Sequence, residues 1–204
     1  MLAIPLDIPP IDPPVHQFKS SPPTWKEVEK FVHRARTTSA PGPNGVPYKV
    51  YKNAPDVCRY LWRLMRTVWQ KKSIPKVWRR AGGILIPKEK DAVNISQFRP
   101  IALLNVEGKI FFAVIAQRMA EYLQRNEYVD TSVQKAGISG FSWCLKHTSM
   151  IWHQIQMAKL EKRDLHAIFL DLANAFGSMP YELLWTTFRK TENYICLTLD
   201  AIFH

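Results

Sequence analysis

Apolar residues recur at three- and four-residue intervals along most of the chain, a spacing that predicts helices with one buried face. Val28, Phe31, Val32 and Ala35 share a face of a helix over 24–36. Thr24 stands at its start with Glu27 three residues on, so hydroxyl and carboxylate can each satisfy a free backbone N–H. Val57, Leu61, Leu64 and Val68 mark a second helix opening near Pro55-Asp56, with Arg59, Arg63 and Arg66 on another face. A long helix over 107–124 carries Ile110, Phe111, Val114, Ile115, Met119 and Tyr122. Arg118 is the one polar residue on that stripe, placed to pair with a carboxylate or a strand end. Thr148 or Ser149 caps a further helix to about 161, with Ile151, Ile155 and Ala158 inward, and Pro180 opens one with Leu183, Leu184, Thr187 and Phe188.

Shorter apolar runs read as strands. Gly83-Ile84-Leu85-Ile86-Pro87 is bounded by glycine and proline, 88–97 is polar, and Phe98-Arg99-Pro100-Ile101-Ala102-Leu103-Leu104 resumes the pattern, which predicts a hairpin. His166-Ala167-Ile168-Phe169-Leu170-Asp171 reads as a buried strand ending in a carboxylate. Residues 1–23 hold seven prolines and three charged residues, and are expected to be an extended arm or linker without packing of their own. Ala40-Pro41-Gly42-Pro43-Asn44-Gly45-Val46-Pro47 is a turn or exposed loop, and 134–141 is a glycine-containing loop. No internal repeat is present.

Composition narrows the class. The chain has 204 residues, 47% hydrophobic and 22% charged, which suits a globular protein of one domain or slightly more. No apolar run reaches the roughly 20 residues of a membrane span. The start, Met1-Leu2-Ala3-Ile4-Pro5, lacks the basic and apolar regions of a signal peptide. Three widely spaced cysteines do not make a disulfide scaffold. An intracellular setting is therefore expected, in nucleus or cytoplasm.

Lys plus Arg is 28 and Asp plus Glu is 17, a net charge of +11 that favours a polyanionic partner. The surplus is concentrated: Arg59, Arg63, Arg66, Lys71, Lys72, Lys76, Arg79, Arg80, Lys88 and Lys90 face a single acid, Glu89, in the same window. Trp62, Trp69 and Trp78 lie among them. Cations pair with phosphates and flat rings stack on bases, so the stretch suits a nucleic-acid strand. It equally suits a solvated basic face whose tryptophans are core residues. Cys144, His147 and His153 do not form the two ligand pairs of a structural zinc site. Asp171, at the end of its apolar run, occupies the kind of position where a sheet meets a cleft. An ordinary helix-capping role is as compatible with it.

The residues around Asp171 carry a resemblance. Phe169-Leu170-Asp171-Leu172-Ala173-Asn174-Ala175-Phe176 resembles the first palm motif of reverse transcriptases encoded by non-LTR (LINE-type) retrotransposons. Ala40-Pro41-Gly42-Pro43-Asn44-Gly45-Val46-Pro47 is similar to that family's entry motif. Ile84 to Lys88, Phe98 to Asn105 and Lys109 are similar to its two fingers motifs. Gln134-Lys135-Ala136-Gly137-Ile138, with Cys144 and His147-Thr148, is similar to the loop before the palm. The ordered set covers about 24–188.

The resemblance implies an α/β (α+β) fold: a helical fingers subdomain with a short hairpin, and an incomplete palm sheet of a right-hand polymerase. It implies a Pro-rich arm at 1–23, fingers at 24–165 and the first part of the palm at 166–204. Asp171 matches the catalytic aspartate that, with partner aspartates from a later motif, binds two magnesium ions. The carbonyl of Leu172 would be a second metal ligand. Phe176 matches the ring under the incoming sugar, and Arg99 and Lys88 match the cations on the triphosphate. The implied partners are an RNA template, a DNA primer and deoxynucleotide triphosphates, with Arg59, Arg63, Arg66, Lys71, Lys72, Arg79 and Arg80 as nucleic-acid contacts. The aromatic-Ala-Asp-Asp that such a palm needs is missing, since no Asp-Asp pair occurs in the chain. Gly177, Tyr181, Trp143 and Lys146 also depart from the common pattern. The chain alone is thus expected not to polymerise nucleotides, and a non-catalytic basic nucleic-acid-binding module is the alternative.

Overall fold

The computed structural model describes residues 11–132, 134, 143–171 and 179–190. Its elements are α1 (Trp25–Arg34), α2 (Tyr48–Asn53), α3 (Pro55–Lys71), α4 (Lys76–Arg79), β1 (Ala81–Pro87), β2 (Phe98–Leu104), α5 (Val106–Arg125), α6 (Trp143–Leu160) and α7 (Tyr181–Lys190). The fold is mixed α and β: helices and one antiparallel two-stranded sheet. The described residues fall into two compact units, one from Phe18–Met119 and one from Met1–Gln17 with Ala120–Asn193. Among the described residues no helix is long and apolar enough to cross a membrane.

The first unit is built on α5. Its stripe is buried as the spacing predicts at Ile110, Phe111, Val114, Ile115 and Arg118. Phe111 is the aromatic centre, its ring 6.3 Å from Trp69 and 5.5 Å from Trp78. Trp69 and Trp78 are therefore core residues and have no face to offer a base. On α3 the buried face is rotated from the expected one. Leu61 and Val68 are inside, but Val57 and Leu64 are exposed and Cys58, Met65 and Trp69 take their places.

Helix α1 starts as its sequence dictates. The Thr24 hydroxyl accepts from the Glu27 N–H, and the Thr24 N–H donates to Glu27 Oε2 at 2.8 Å. Glu27 also answers Arg118. The Arg118 Nε donates to Glu27 Oε1 at 2.8 Å, and its terminal nitrogen to Oε2 at 2.7 Å. The rest of the fork donates to the carbonyls of Lys19, Ser21 and Pro22. With its side chain 1% exposed, Arg118 is a buried cation whose every contact compensates lost hydration.

The last residues of the proline-rich stretch consequently depart from the expectation of an unpacked arm. Phe18 and Pro23 are buried. The indoles of Trp62 and Trp69 donate to the carbonyls of Pro23 and Ser20, at 2.9 and 3.0 Å. Proline removes donors but not acceptors, so the backbone of 19–23 is held through its carbonyls, while the Lys19 ammonium pairs with Glu27 at 3.1 Å.

In the second unit, the His16 N–H donates to Asn126 Oδ1 at 2.8 Å and Asn126 Nδ2 donates back to the His16 carbonyl at 3.0 Å. The Tyr128 hydroxyl donates to the Asp12 carbonyl at 2.8 Å. Helix α6 begins at Trp143, earlier than the Thr148 or Ser149 cap. Of its expected inward residues Ala158 is buried, and Ile151 is exposed.

The expected strand at 166–171 is corrected. Residues 163–171 have no regular structure, and Ile168, Phe169 and Leu170 are 86%, 78% and 93% exposed. A strand exists only by pairing, and among the described residues the paired strands are β1 and β2 alone. The sheet is thus a hairpin, and the palm sheet is not present among the described residues.

The Glu27 carboxyl is raised by burial and lowered by the bonds from Arg118, Thr24 and Lys19, which prevail and hold it far below its ordinary value of 4.5. A depressed value contributes stability in full above that ordinary value, and the contribution is lost as pH falls below it. Thermal unfolding should show the melting temperature declining from about pH 5 downward. Glu27→Gln should flatten that decline and cost roughly 3 kcal/mol at pH 7, since three carbonyls still bind Arg118. An unchanged pH profile in this variant would refute the assignment.

Candidate nucleic-acid interface

The hairpin sets the geometry of the predicted triphosphate contacts. Arg99 on β2 pairs opposite Ile86 on β1. Lys88 lies two residues beyond Ile86, and its N–H donates to the Gln97 carbonyl at 2.8 Å. Lys88 is the first residue past the end of β1, and Arg99 is the second residue of β2, so both lie at the turn end of the ribbon. Both are exposed. The Lys88 ammonium is folded onto the Ser96 carbonyl at 2.7 Å. The ribbon is open to solvent on both faces, with Ile84, Leu85, Ile86 and Ile101 all exposed.

The loop at 40–47 is docked against the root of this hairpin. Gly42 lies so close to the backbone of Leu104 and Asn105 that a Cβ would run into both. The Asn44 N–H donates to Asn105 Oδ1 at 3.1 Å, and Asn105 Nδ2 donates to the Val77 carbonyl at 3.0 Å. Asn44 Nδ2 bridges both oxygens of Glu107 at 3.1 and 3.2 Å, and the Tyr51 hydroxyl donates to the same carboxylate at 2.5 Å. Burial, and then that carboxylate, push the Tyr51 phenol above its ordinary value. Lys109 reaches the Ala40 carbonyl at 2.9 Å. Gly45 turns the chain at a φ of +70° with open space around it. The β2–α5 junction and the proline–glycine loop are therefore one ordered corner, and Glu107 is its shared acceptor.

Helix α3 supplies the basic face. Arg59, Arg63 and Arg66 are exposed, and so is Tyr60 at 71%. The Arg59 guanidinium lies over the Trp25 ring at 5.1 Å, and that of Arg66 over the Trp62 ring at 5.3 Å. The two indoles meet edge to face at 6.1 Å. Among the described residues the ion pairs are Lys19–Glu27, Arg118–Glu27 and Arg163–Glu161, so none of the three α3 arginines is neutralised by an acid. Lys71 and Lys72 end the helix, Lys72 with a positive φ of 50°, and Arg79 and Arg80 lead into β1; all four are exposed.

Asp171 is described and exposed, but it closes an irregular segment and not a strand. It belongs to one compact unit, and Lys88 and Arg99 belong to the other. Leu172 and Phe176 lie outside the described residues, as do Gly177, most of 134–141 and all of 191–204. Among the described residues no three His, Cys, Asp or Glu side chains converge to hold an ion. Sequence reasoning missed Trp25, Tyr51 and Glu107. Their partners lie 34, 56 and 63 residues away in the chain, beyond the reach of local periodicity.

No protein-family model matches the chain. It is 24% identical over 172 residues to the Retrovirus-related Pol polyprotein from type-1 retrotransposable element R2 of Nasonia vitripennis, covering 82% of this chain and 16% of that relative. It is 23% identical over 163 residues to the Retrovirus-related Pol polyprotein from type-2 retrotransposable element R2DM of Drosophila melanogaster, covering 80% of this chain and 15% of that relative. The chain is thus distantly related to retrotransposon Pol sequences and matches about a sixth of their length.

The docked corner makes a steric prediction. Gly42→Ala drives a methyl into backbone that cannot yield and should lower stability by about 2 kcal/mol or more in denaturant unfolding. Gly45→Ala meets only the cost of its positive φ, about 1 kcal/mol. Equal losses at the two positions would show that the close approach of Gly42 is not tight.

Proposed function

We propose that this chain carries the fingers and the first palm motif of an RNA-directed DNA polymerase of the non-LTR retrotransposon type. Its basic α3 face and hairpin bind an RNA template strand, and it does not transfer nucleotides on its own. The observation that carries this reading is the match to two Pol polyproteins over four-fifths of the chain. The hairpin supports it, with Lys88 and Arg99 both exposed at its turn end where an incoming deoxynucleotide triphosphate would lie, a DNA primer being the other partner.

Magnesium, when bound in such an enzyme, activates the primer hydroxyl and neutralises the leaving group. Two ions at catalytic spacing need several hard oxygen ligands. Asp171 is one exposed carboxylate, and the chain contains no Asp-Asp pair. The residues present do not by themselves supply the ligands for two ions, so Asp171, with Leu172 and Phe176, is proposed as one part of a nucleotide site that these 204 residues do not complete.

Primer extension on an RNA template, with magnesium and all four deoxynucleotides, should give no incorporation. Incorporation by the wild-type chain that disappears in Asp171→Asn would overturn the inactive reading. Binding is tested separately, by anisotropy with a labelled single-stranded RNA across a salt series. The wild type should bind, and Arg59→Gln, Arg63→Gln and Arg66→Gln together should reduce the salt slope by about 2. An RNA that does not bind, or a triple variant with the wild-type slope, would remove α3 from the interface.

A further inference from the structure

We propose that Trp25 and Trp62 are positioning residues for the RNA-binding arginines: each indole holds one guanidinium in place for a phosphate. The inference rests on the reading of α3 as an RNA-binding face. An arginine on an exposed helix explores many rotamers, and a phosphate that captures it must freeze them. Here two of the three are already held. Arg59 lies over Trp25 at 5.1 Å and Arg66 over Trp62 at 5.3 Å. The contact is to the ring, which leaves guanidinium N–H groups unspent for an anion, as an acid partner would not.

The rings are themselves fixed. Trp62 Nε1 donates to the Pro23 carbonyl at 2.9 Å, and the Trp25 ring meets Trp62 at 72°. Pro23 is fully buried, and its neighbours Ser21 and Pro22 accept from Arg118. An ordered path therefore runs from the buried cation through the proline segment and the indoles to the surface guanidiniums. Arg59 and Arg66 are seven residues apart, two turns of α3, so their charges sit about 10 Å apart along the helix. Arg63, between them, has no ring beneath it among the described residues and completes the row.

The test is the anisotropy titration of the full chain with single-stranded RNA. Trp25→Leu should weaken binding about two- to fivefold and Trp25→Phe should restore most of it, because a benzene ring still attracts a cation. The salt slope should stay at the wild-type value, since the same phosphates are met by the same charges. Arg59→Lys keeps the charge on a compact head that is held less well by the ring, and should show a similar loss. The double variant Trp25→Leu/Arg59→Lys should be no weaker than either single one. Arg59→Lys is a surface change, so this arm stands even if a tryptophan variant fails to fold. Wild-type binding with additive losses in the double variant, or with Leu and Phe equivalent at position 25, overturns the positioning role alone. A wild-type chain that does not bind RNA overturns the RNA-binding reading and this one with it.

Discussion

One buried charge organises the Phe18–Met119 unit of this protein. Arg118 sits on the apolar stripe of α5, where an unpaired guanidinium would cost several kcal/mol. The chain meets that demand with a carboxylate and three carbonyls drawn from one short stretch, 19–27. Glu27 serves two masters here. It closes the first turn of α1 on Thr24 and faces Arg118 with both oxygens, so helix start, proline segment and long helix are ordered by one residue. A second anchor is the pair of indole N–H groups from α3, which take up carbonyls of the same segment.

Where the sequence was legible, the governing forces are local. The reciprocal cap at Thr24 and Glu27, the stripe of α5 and the alternation of the hairpin each lie within a few residues. The rotation of α3 was not legible, because Leu61 and Val68 fit either of two overlapping stripes. Trp69, which packs on Phe111, decides between them. The packing of 18–23 was hidden because prolines advertise what they lack, and their carbonyls leave no signature in a hydrophobicity pattern. The hairpin that carries Arg99, with Lys88 just past its first strand, was legible from the two apolar runs, whereas Leu172 and Phe176 lie outside the described residues.

The run before Asp171 failed as a strand for a physical reason that periodicity does not contain. Its composition has the β-branched and aromatic character of a buried strand, but a strand's backbone groups need a neighbour, and composition does not supply one. The described segment shows the side chains without the sheet: three consecutive large apolar residues open to water.

That segment is bracketed by acids, Asp164 on one side and Asp171 on the other. Charges flanking an adhesive stretch act as gatekeepers, because stacking copies of the chain would bring like charges into register. By that principle the charge of Asp171 opposes self-association of the exposed tract, whatever else the residue does. Replacing it by alanine would remove that charge and lengthen the apolar tract in one step, whereas glutamate would keep the charge at the end of the tract.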